Sequence, residues 1–237
     1  MPRIFIKGIK GGVGTTTVAA NLASMLKKSN LDVLVAELDC KNDLGLHFGL
    51  PWGENSGWSY AKNFNDVSEC AFVDNEGIVF LPYGENSAPE LSVSSLINDL
   101  SAYAVKKKAW LLFDCPANIN LADLPLNKSD IILDLVNCDA ICHSFMYKKL
   151  KLLSQVKSVW QHYFVVNKYN SSSVIEFDLY SLWQSTMPLI TPFFINHDEV
   201  IKESTAYKNV AINCAPYSIT KDDFETLAGW LVSKVSK

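Results

Sequence analysis

A glycine-rich turn near the amino terminus contains the residue types that bind phosphate groups. Residues 7–17 read K-G-I-K-G-G-V-G-T-T-T, between an apolar run at residues 4–6 and a helical pattern that extends to about residue 28. Glycines allow the tight turn that brings several backbone N–H groups to one anion at the start of a helix. The helix has one apolar stripe and directs the positive end of its dipole at the turn. The segment therefore predicts a site for the phosphates of a nucleotide.

The turn departs from the common phosphate-loop pattern G-x-x-x-x-G-K-[ST] at two positions. Ile9 replaces the first glycine, and Thr15 replaces the lysine that would reach the phosphates. Thr16 keeps the hydroxyl that would bind Mg²⁺ in a nucleotide complex. Thr15 and Thr17 could instead cap the helix, and the alternative for the whole segment is an ordinary strand-to-helix turn that binds nothing. The three threonines after Gly-Gly-Val-Gly favour the phosphate site.

Three polar side chains each come at the end of an apolar, strand-like run: Asp39, Asp114 and Asn167. Ligands of a parallel sheet bind beyond the carboxyl ends of its strands, so these side chains are candidates for the same site. Glu37 precedes Asp39 by two residues and adds a second carboxylate. An amide such as that of Asn167 can both donate to and accept from a purine edge. The alternatives are turn chemistry for the two aspartates and the start of a loop for Asn167.

Apolar runs rich in β-branched and aromatic residues alternate with helical patterns along the chain. The predicted strands are at residues 4–6, 33–36, 78–81, 110–113, 131–133, 163–166 and 192–195. The predicted helices are at about residues 15–28, 90–107, 172–185, 198–208 and 221–235. This alternation predicts an α/β fold with a doubly wound, mostly parallel sheet and helices on both faces. No linker or repeat divides the chain, so we expect one domain over residues 1–237.

Composition and charge argue against several classes of protein. The chain is 49% hydrophobic, and its formal net charge is −4. Sequence-independent binding to nucleic acid draws on clustered lysines and arginines, so direct nucleic-acid binding is not expected. The six cysteines form no C-x-x-C pair, which favours reduced thiols over disulfides or metal ligands. We see no secretory leader and no uninterrupted run of about 18 apolar residues, and we expect a cytoplasmic protein.

The loop K-G-G-V-G-T-T-T at residues 10–17 resembles the deviant Walker A loop K-G-G-x-G-[KT]-T-T of the ParA/MinD superfamily of P-loop ATPases. The resemblance implies ATP and Mg²⁺ as cofactors, with Lys10 reaching across a dimer interface to the partner's nucleotide. It implies that Asp39 positions the attacking water and that Asp114 holds Mg²⁺ through water. It further implies that Asn167 reads adenine and that Pro216 belongs to a loop that closes on the base. The implied nucleotide contacts of the loop are Lys10, Gly11, Gly12, Val13, Gly14, Thr15, Thr16 and Thr17.

Segments beyond the loop narrow the resemblance to the BcsQ family of bacterial cellulose biosynthesis proteins. They read S-G-W at residues 56–58, L-P-Y-G at 81–84, V-N-C-D-A-I-C-H at 136–143, L-Y-S-L-W at 179–183 and I-N-H-D-E at 195–199. The family implies an ATP-bound homodimer that associates with a small partner, BcsR, and with the c-di-GMP-sensing protein BcsE. This assembly supports cellulose synthase at the inner membrane. Because Thr15 removes a cation that would stabilise the transferring phosphate, we expect slow or absent ATP hydrolysis.

Two other functions remain open from the residues. One is a positioning ATPase that cycles on DNA or on the inner membrane. Its membrane contact would be the last helix, which has apolar residues at helical spacing and lysines nearby, although such a face can equally pack on a sheet. The apolar residues are Phe224, Leu227, Leu231, Val232 and Val235, and the lysines are Lys234 and Lys237. The other is an iron–sulfur ATPase, in which Cys115 and Cys138 would face their counterparts across a dimer.

Overall fold

The computed structural model describes residues 1–155 and 160–235, which contain an eight-stranded sheet. The strands are β1 (Arg3–Gly8), β2 (Val33–Glu37), β3 (Phe72–Val73), β4 (Val79–Leu81), β5 (Trp110–Cys115), β6 (Ile131–Val136), β7 (Gln161–Tyr169) and β8 (Ile190–Asn196). Their order is β3-β4-β2-β5-β1-β6-β7-β8. All pairings are parallel except that of β3 with β4. The chain therefore adds β2 to β5 on one side of β1 and then adds β6 to β8 on the other side. Ligands of such sheets bind at the carboxyl ends of the strands where the direction of winding reverses, which is here beside β1.

Helices cover both faces of the sheet. In the described ranges they are α1 (Thr15–Lys28), α2 (Phe64–Glu69), α3 (Val93–Lys107), α4 (Ala140–Gln155), α5 (Val174–Thr186), α6 (Val200–Ala206), α7 (Ala211–Cys214) and α8 (Ile219–Val235). α1 and α8 pack on one face, with the side chains of Ile4 and Ile6. α3, α4 and α5 cover the opposite face. Because both faces are covered, the central strands contain runs of consecutive apolar residues rather than a polar residue at every second position, and charged side chains such as Lys7 and Asp134 occur singly among them.

The observed architecture confirms the predicted fold class. Each predicted strand overlaps an observed one, and the predicted helices correspond to α1, α3, α5, α6 and α8. The prediction misses α4, whose only buried side chains are Cys142 and Met146. Apolar residues such as Ile141 and Phe145 lie on its exposed side, so its sequence lacks a clear apolar stripe. It also misses the short elements β3, α2 and α7, which contain too few residues to show a period.

The last helix does not present an apolar face to a membrane. Phe224, Leu227 and Leu231 have no solvent exposure, and α8 packs on α1 and β8. The hypothesis of a membrane contact through this helix is therefore wrong, because the sheet already buries the face that would enter the lipid. Within the described ranges no helix has the length and apolar character needed to cross a bilayer.

Candidate functional site

The glycine-rich loop connects the end of β1 to the start of α1 and is open to solvent. Gly14 is the residue that precedes α1, with a φ of +96°, and Gly12 has a φ of +78°. A Cβ atom on Gly14 would lie 2.6 Å from Nδ2 of Asn167, whereas a Cβ on Gly11 would meet no atom within 4 Å. Position 14 therefore requires glycine for both its backbone angle and its close contact, and the loop leaves space for a ligand beside Gly11.

No side chain caps the start of α1. Gly14 occupies the capping position and has no side chain, so neither Thr15 nor Thr17 caps the helix. The alternative explanation for these threonines is thus wrong. The first N–H groups of a helix have no partner within the helix itself, and here they face a cavity lined by Thr15, Thr16 and Thr17. This arrangement is suited to an anion.

Asp114 lies beside the loop with both of its carboxylate oxygens unpaired. It is on β5 between Ile6 of β1 and Glu37 of β2. Its side chain is buried, and neither oxygen has a hydrogen-bond partner among the described residues. Burial raises the pKa of Asp114 to about 7, and the nearby Thr16 hydroxyl opposes this rise. A buried carboxylate without a donor is costly, and a hydrated Mg²⁺ held by Thr16 and Asp114 would relieve that cost.

Glu37 has a structural role that the sequence pattern does not reveal. Its carboxylate accepts backbone N–H groups of Asp43 (2.7 Å), Leu44 (3.1 Å) and Tyr83 (3.3 Å). These bonds fasten the segment after β2 and the end of β4 to one side chain. Burial, and then the neighbouring Asp114 carboxylate, raise the pKa of Glu37 well above its usual range. Glu37 therefore holds the backbone around the site in place, and neither of its oxygens is free to bind a metal.

Two adjoining cavities lie at this edge of the sheet. The loop cavity, of about 390 Å³, is lined by Lys10, Gly12, Thr16, Asp39, Lys41 and Thr205, among others. The side cavity, of about 440 Å³, is lined by Trp52, Asn167, Lys168, His197, Ile201 and Thr205, among others. Gly14, Thr17 and Thr205 belong to both. The two cavities together could hold a ligand with a charged end on the loop and a flat, partly apolar end beside α6.

The structure brings Asn167 to the loop and fixes the direction of its amide. Nδ2 donates to the carbonyl of Val13 at 2.6 Å. The side chain is only 3% exposed, and its Oδ1 has no partner among the described residues. With one N–H bonded to Val13 and Oδ1 without a partner, the amide offers its oxygen as an acceptor, which matches a ligand with an amino group.

Lys10 forms an ion pair within the same chain. Its Nζ lies 2.7 Å from Oδ2 of Asp139, and the backbone N–H of Cys142 donates to the other oxygen of that carboxylate. The hydrogen bond to Asp139 raises the pKa of Lys10. Both side chains are partly exposed, so the pair is weak enough to exchange partners.

Asp39 lines the loop cavity and lies at its solvent side. Its Oδ1 accepts the backbone N–H of Lys41 at 3.2 Å, and its Oδ2 lies 3.6 Å from the Lys41 ammonium. The structure thus brings Asp39, Thr16 and Lys10 to one cavity, as predicted from their places at the end of β2 and in the loop.

A model of the family described as "Cellulose biosynthesis protein BcsQ" matches residues 1–232 of the chain. The chain belongs to the BcsQ family. The BcsQ family protein of Escherichia coli strain K12 named "Cellulose biosynthesis protein BcsQ" is 27% identical over 242 residues, covering 98% of this chain and 94% of the relative. The family model and this relative confirm the BcsQ resemblance that the segments beyond the loop indicated.

Solved structures of other proteins share the fold of this BcsQ family member. Cobyrinic acid a,c-diamide synthase from Mycobacterium smegmatis, with bound ATP analog and magnesium, superimposes with a TM-score of 0.77 at 17% identity, covering 98% of this chain and 94% of that chain. The cell division ATPase MinD of Pyrococcus furiosus gives a TM-score of 0.76 at 22% identity, covering 98% of each chain. The fold is thus that of ParA/MinD-type P-loop NTPases.

One predicted site residue of this BcsQ family chain lies apart from the others. Pro216 lines a separate cavity with Lys28, His47 and Asn209 and does not contact the side cavity. The wall of the side cavity that Pro216 was expected to form is instead formed by the segment from His197 to Thr205, which follows β8 and includes part of α6. The I-N-H-D-E sequence at residues 195–199 is the signal that could have indicated this wall, because it directly follows a predicted strand. The role of Pro216 on the base stays a prediction without a contact to support it.

The cysteines of this BcsQ family chain do not form a cluster site. Cys115 and Cys138 are buried, with 2% and 6% exposure, and burial raises the pKa of both thiols. No group of three or more metal-binding side chains occurs in the part of the chain that the structure describes. Buried thiols with raised pKa values are poor ligands for a cluster between subunits, so the structure gives the iron–sulfur hypothesis no support at this pair.

Proposed function

We propose that this chain is an ATP-binding, Mg²⁺-dependent homodimeric scaffold and regulator of the cellulose synthase secretion complex. The observation that supports it most directly is the unpaired, buried Asp114 beside the open glycine loop. A binding site for Mg²⁺ and phosphate explains why the fold keeps a carboxylate without a donor at this place. Membership of the BcsQ family supplies the cellular context.

The phosphates of ATP bind to backbone N–H groups of the loop from Gly11 to Gly14, and the hydroxyls of Thr15, Thr16 and Thr17 line their site. Mg²⁺, when bound, neutralises charge on the phosphates. Thr16 and Asp114 would hold it, through the hydroxyl and the carboxylate respectively. In the side cavity the adenine amino group meets the free Oδ1 of Asn167.

ATP also lies in the dimer interface. Lys10 is paired with Asp139 in the single chain, and on dimerisation it exchanges this partly exposed partner for the phosphates bound to the other subunit. The exchange costs little because an exposed ion pair contributes only about 0–1 kcal/mol. Asp39 lines the loop cavity, and in this proposal it would position the attacking water.

Hydrolysis is slow or absent in this proposal, and nucleotide binding is the functional event. Thr15 cannot supply the cation that stabilises charge on the transferring phosphate, and such a contact is worth roughly 3–4 kcal/mol of barrier. The dimer therefore persists in its ATP-bound form, recruits BcsR-like and BcsE-like regulators, and reaches the inner membrane through the cellulose synthase complex. Direct nucleic-acid binding has no part in this function.

The test is to identify the nucleotide retained by the purified protein and to measure its mass in solution. We expect intact ATP in a wild-type dimer and a monomer for Lys10→Ala. Lys128→Ala, which changes an exposed lysine just before β6 at the opposite edge of the sheet, should behave as the wild type. Absence of any nucleotide from a wild-type protein that also fails to bind added ATP would refute the proposal, and ADP accumulating at the rate of an ordinary P-loop ATPase would refute the scaffold mechanism.

A further inference from the structure

The loop lacks its usual lysine, so any cation that faces the phosphates within one chain must come from elsewhere in the fold. Lys10 and Lys41 line the loop cavity, and Lys168 and Lys202 line the side cavity. Lys168 also reaches the loop itself, because its Nζ bonds the carbonyl of Gly12, a residue that lines the loop cavity. These four lysines differ in whether a carboxylate of the same chain already neutralises them. That difference decides which of them carries an unneutralised charge in the single chain.

Three of these lysines are paired with acidic residues. Lys10 lies 2.7 Å from Asp139, and Lys41 lies 3.6 Å from Asp39. Lys202 lies 2.8 Å from Glu199. A cation that already has a carboxylate partner must give up that contact before it can serve a phosphate. The net positive charge that these three lysines offer to a ligand in the single chain is therefore small.

Lys168 has a different partner. Its Nζ donates to the backbone carbonyl of Gly12 at 2.8 Å, and among the described residues no carboxylate lies within 4.0 Å of it. A carbonyl occupies one of the three N–H donors of the ammonium group and leaves its charge intact. The side chain is exposed to solvent, so its charge carries little desolvation cost. Lys168 thus places an unneutralised cation on the phosphate loop.

The backbone also holds Lys168 in a specific position. It follows Asn167 at the end of β7 and has a φ of +57°, a region that a lysine occupies at a cost of roughly 1–2 kcal/mol. Asn167 donates to the carbonyl of Val13, and Lys168 donates to that of Gly12. Two successive residues of β7 therefore bind two successive carbonyls of the loop, and the lysine lies along the loop next to Gly14.

We propose that Lys168 supplies, within the same chain, the positive charge for the nucleotide that Thr15 no longer provides. It is a nucleotide-binding residue that acts on the phosphates of the ligand from β7 instead of from the loop. This inference rests on the proposed nucleotide-binding function and goes beyond it by assigning the charge to a residue outside the loop pattern. Lys168 strengthens binding of the ground state, so it leaves the expectation of slow hydrolysis unchanged.

The experiment is titration calorimetry of adenosine, AMP, ADP and ATP on the wild type, Lys168→Gln and Lys168→Arg, at low and high salt. The glutamine side chain removes the charge and retains an N–H donor, although its nitrogen lies one bond closer to the backbone than Nζ of the lysine. We expect Lys168→Gln to lose about tenfold in ATP affinity, as for one charge-assisted contact. The loss should be smaller for AMP, absent for adenosine and reduced by salt. Lys168→Arg should retain most of the affinity, and Lys128→Gln is the matched control.

A second variant tests whether a lysine at position 15 can replace the charge of Lys168. Thr15→Lys in the Lys168→Gln background returns the cation to the loop, and we expect it to restore ATP affinity. Circular dichroism and melting temperature verify that each variant is folded. Equal affinity of Lys168→Gln and wild type for ATP, or an equal loss for adenosine and ATP, would overturn the inference while leaving the nucleotide site intact. A folded wild type that binds none of the four ligands would instead refute the proposed function.

Discussion

The charge state of Asp114 makes a quantitative prediction for the metal-free protein. Asp114 and Asp134 are both buried aspartates on neighbouring parts of the sheet, with 1% and 0% exposure. Burial raises the pKa of Asp114 from 3.8 to about 7. Asp134 is buried too, but hydrogen bonding to His162 and the charge of Lys149 lower its pKa to about 2. Replacing each with asparagine should therefore change stability in opposite directions.

The magnitude follows from the linkage between proton binding and folding. Because folded Asp114 binds its proton more tightly than the unfolded chain does, the free energy of unfolding falls as pH rises from about 4 to about 7. With 1.36 kcal/mol per pH unit, the raised pKa of Asp114 destabilises the fold by about 2 kcal/mol at pH 5, where the side chain must take up a proton to fold, and by about 4 kcal/mol at pH 8, where it is buried in its ionised form. The neutral acid and the asparagine both bury an unpaired polar group, so that cost cancels. Asp114→Asn should be more stable than the wild type, and the difference in their free energies of unfolding should increase by about 2–3 kcal/mol from pH 5 to pH 8.

The assay is urea unfolding followed by tryptophan fluorescence, in EDTA, at both pH values. Asp134→Asn is the control with the opposite sign. Its folded pKa lies below the unfolded value of 3.8, so its ionised form stabilises the protein at every pH above about 4, and that stability is lost only as pH falls towards 2. Asp134→Asn should lose about 3–5 kcal/mol at both pH values, because it leaves Lys7 and Lys149 without their buried partner.

The reasoning fails if the difference between Asp114→Asn and the wild type is the same at pH 5 and pH 8. A second measurement links the carboxylate to the metal. Adding Mg²⁺ with ATP should raise the unfolding free energy of the wild type and have a much smaller effect on Asp114→Asn, since the variant no longer offers a charge to the hydrated ion. Equal stabilisation of both proteins would exclude Asp114 from the metal site.

Three further variants probe the site and its support. Gly14→Ala places a Cβ 2.6 Å from the Asn167 amide at a φ of +96°; we expect loss of nucleotide binding and about 1–3 kcal/mol of stability by urea unfolding, whereas Gly229→Ala should preserve binding. Asn167→Ala should reduce the preference for ATP over GTP about tenfold in competition binding, and an unchanged preference would refute the acceptor role of Oδ1. Trp58→Phe leaves the Glu37 carbonyl without its 2.6 Å donor; calorimetry should show a loss of about 1–3 kcal/mol, and an unchanged melting temperature would contradict it.

Local features of the chain were sufficient to predict the main elements and the loop. The strands of a doubly covered parallel sheet are uniformly apolar, so runs such as residues 110–113 are visible without any tertiary information. α1 is visible because Val18, Leu22 and Met25 share one face. α4 was not visible, because its exposed surface includes Ile141 and Phe145. Apolar residues outside the core remove the periodic signal on which such a prediction depends.

The contacts that complete the site could not be predicted, because they join residues far apart in the chain. Asn167 binds a loop carbonyl 154 residues earlier, and Lys168 binds one 156 residues earlier. The pairing of Lys10 with Asp139 spans 129 residues. Each contact depends on the order β1-β6-β7, which places the ends of those strands side by side. Nothing in the spacing of the motifs specifies that order.

The sequence by itself determined the kinds of chemistry available: glycines where the loop needs positive φ, a hydroxyl at position 16, carboxylates after two strands, and a threonine where a lysine would be. Only the tertiary structure decided which hydrogen-bond and charge partners these groups have in the site and what charge they carry. Asp114 and Glu37 are both buried carboxylates at strand ends. Asp114 has no hydrogen-bond partner among the described residues, whereas Glu37 accepts hydrogen bonds from backbone N–H groups. The physical reason is that residue type and period act over a few residues, whereas burial and partner choice depend on how the strands are ordered in space.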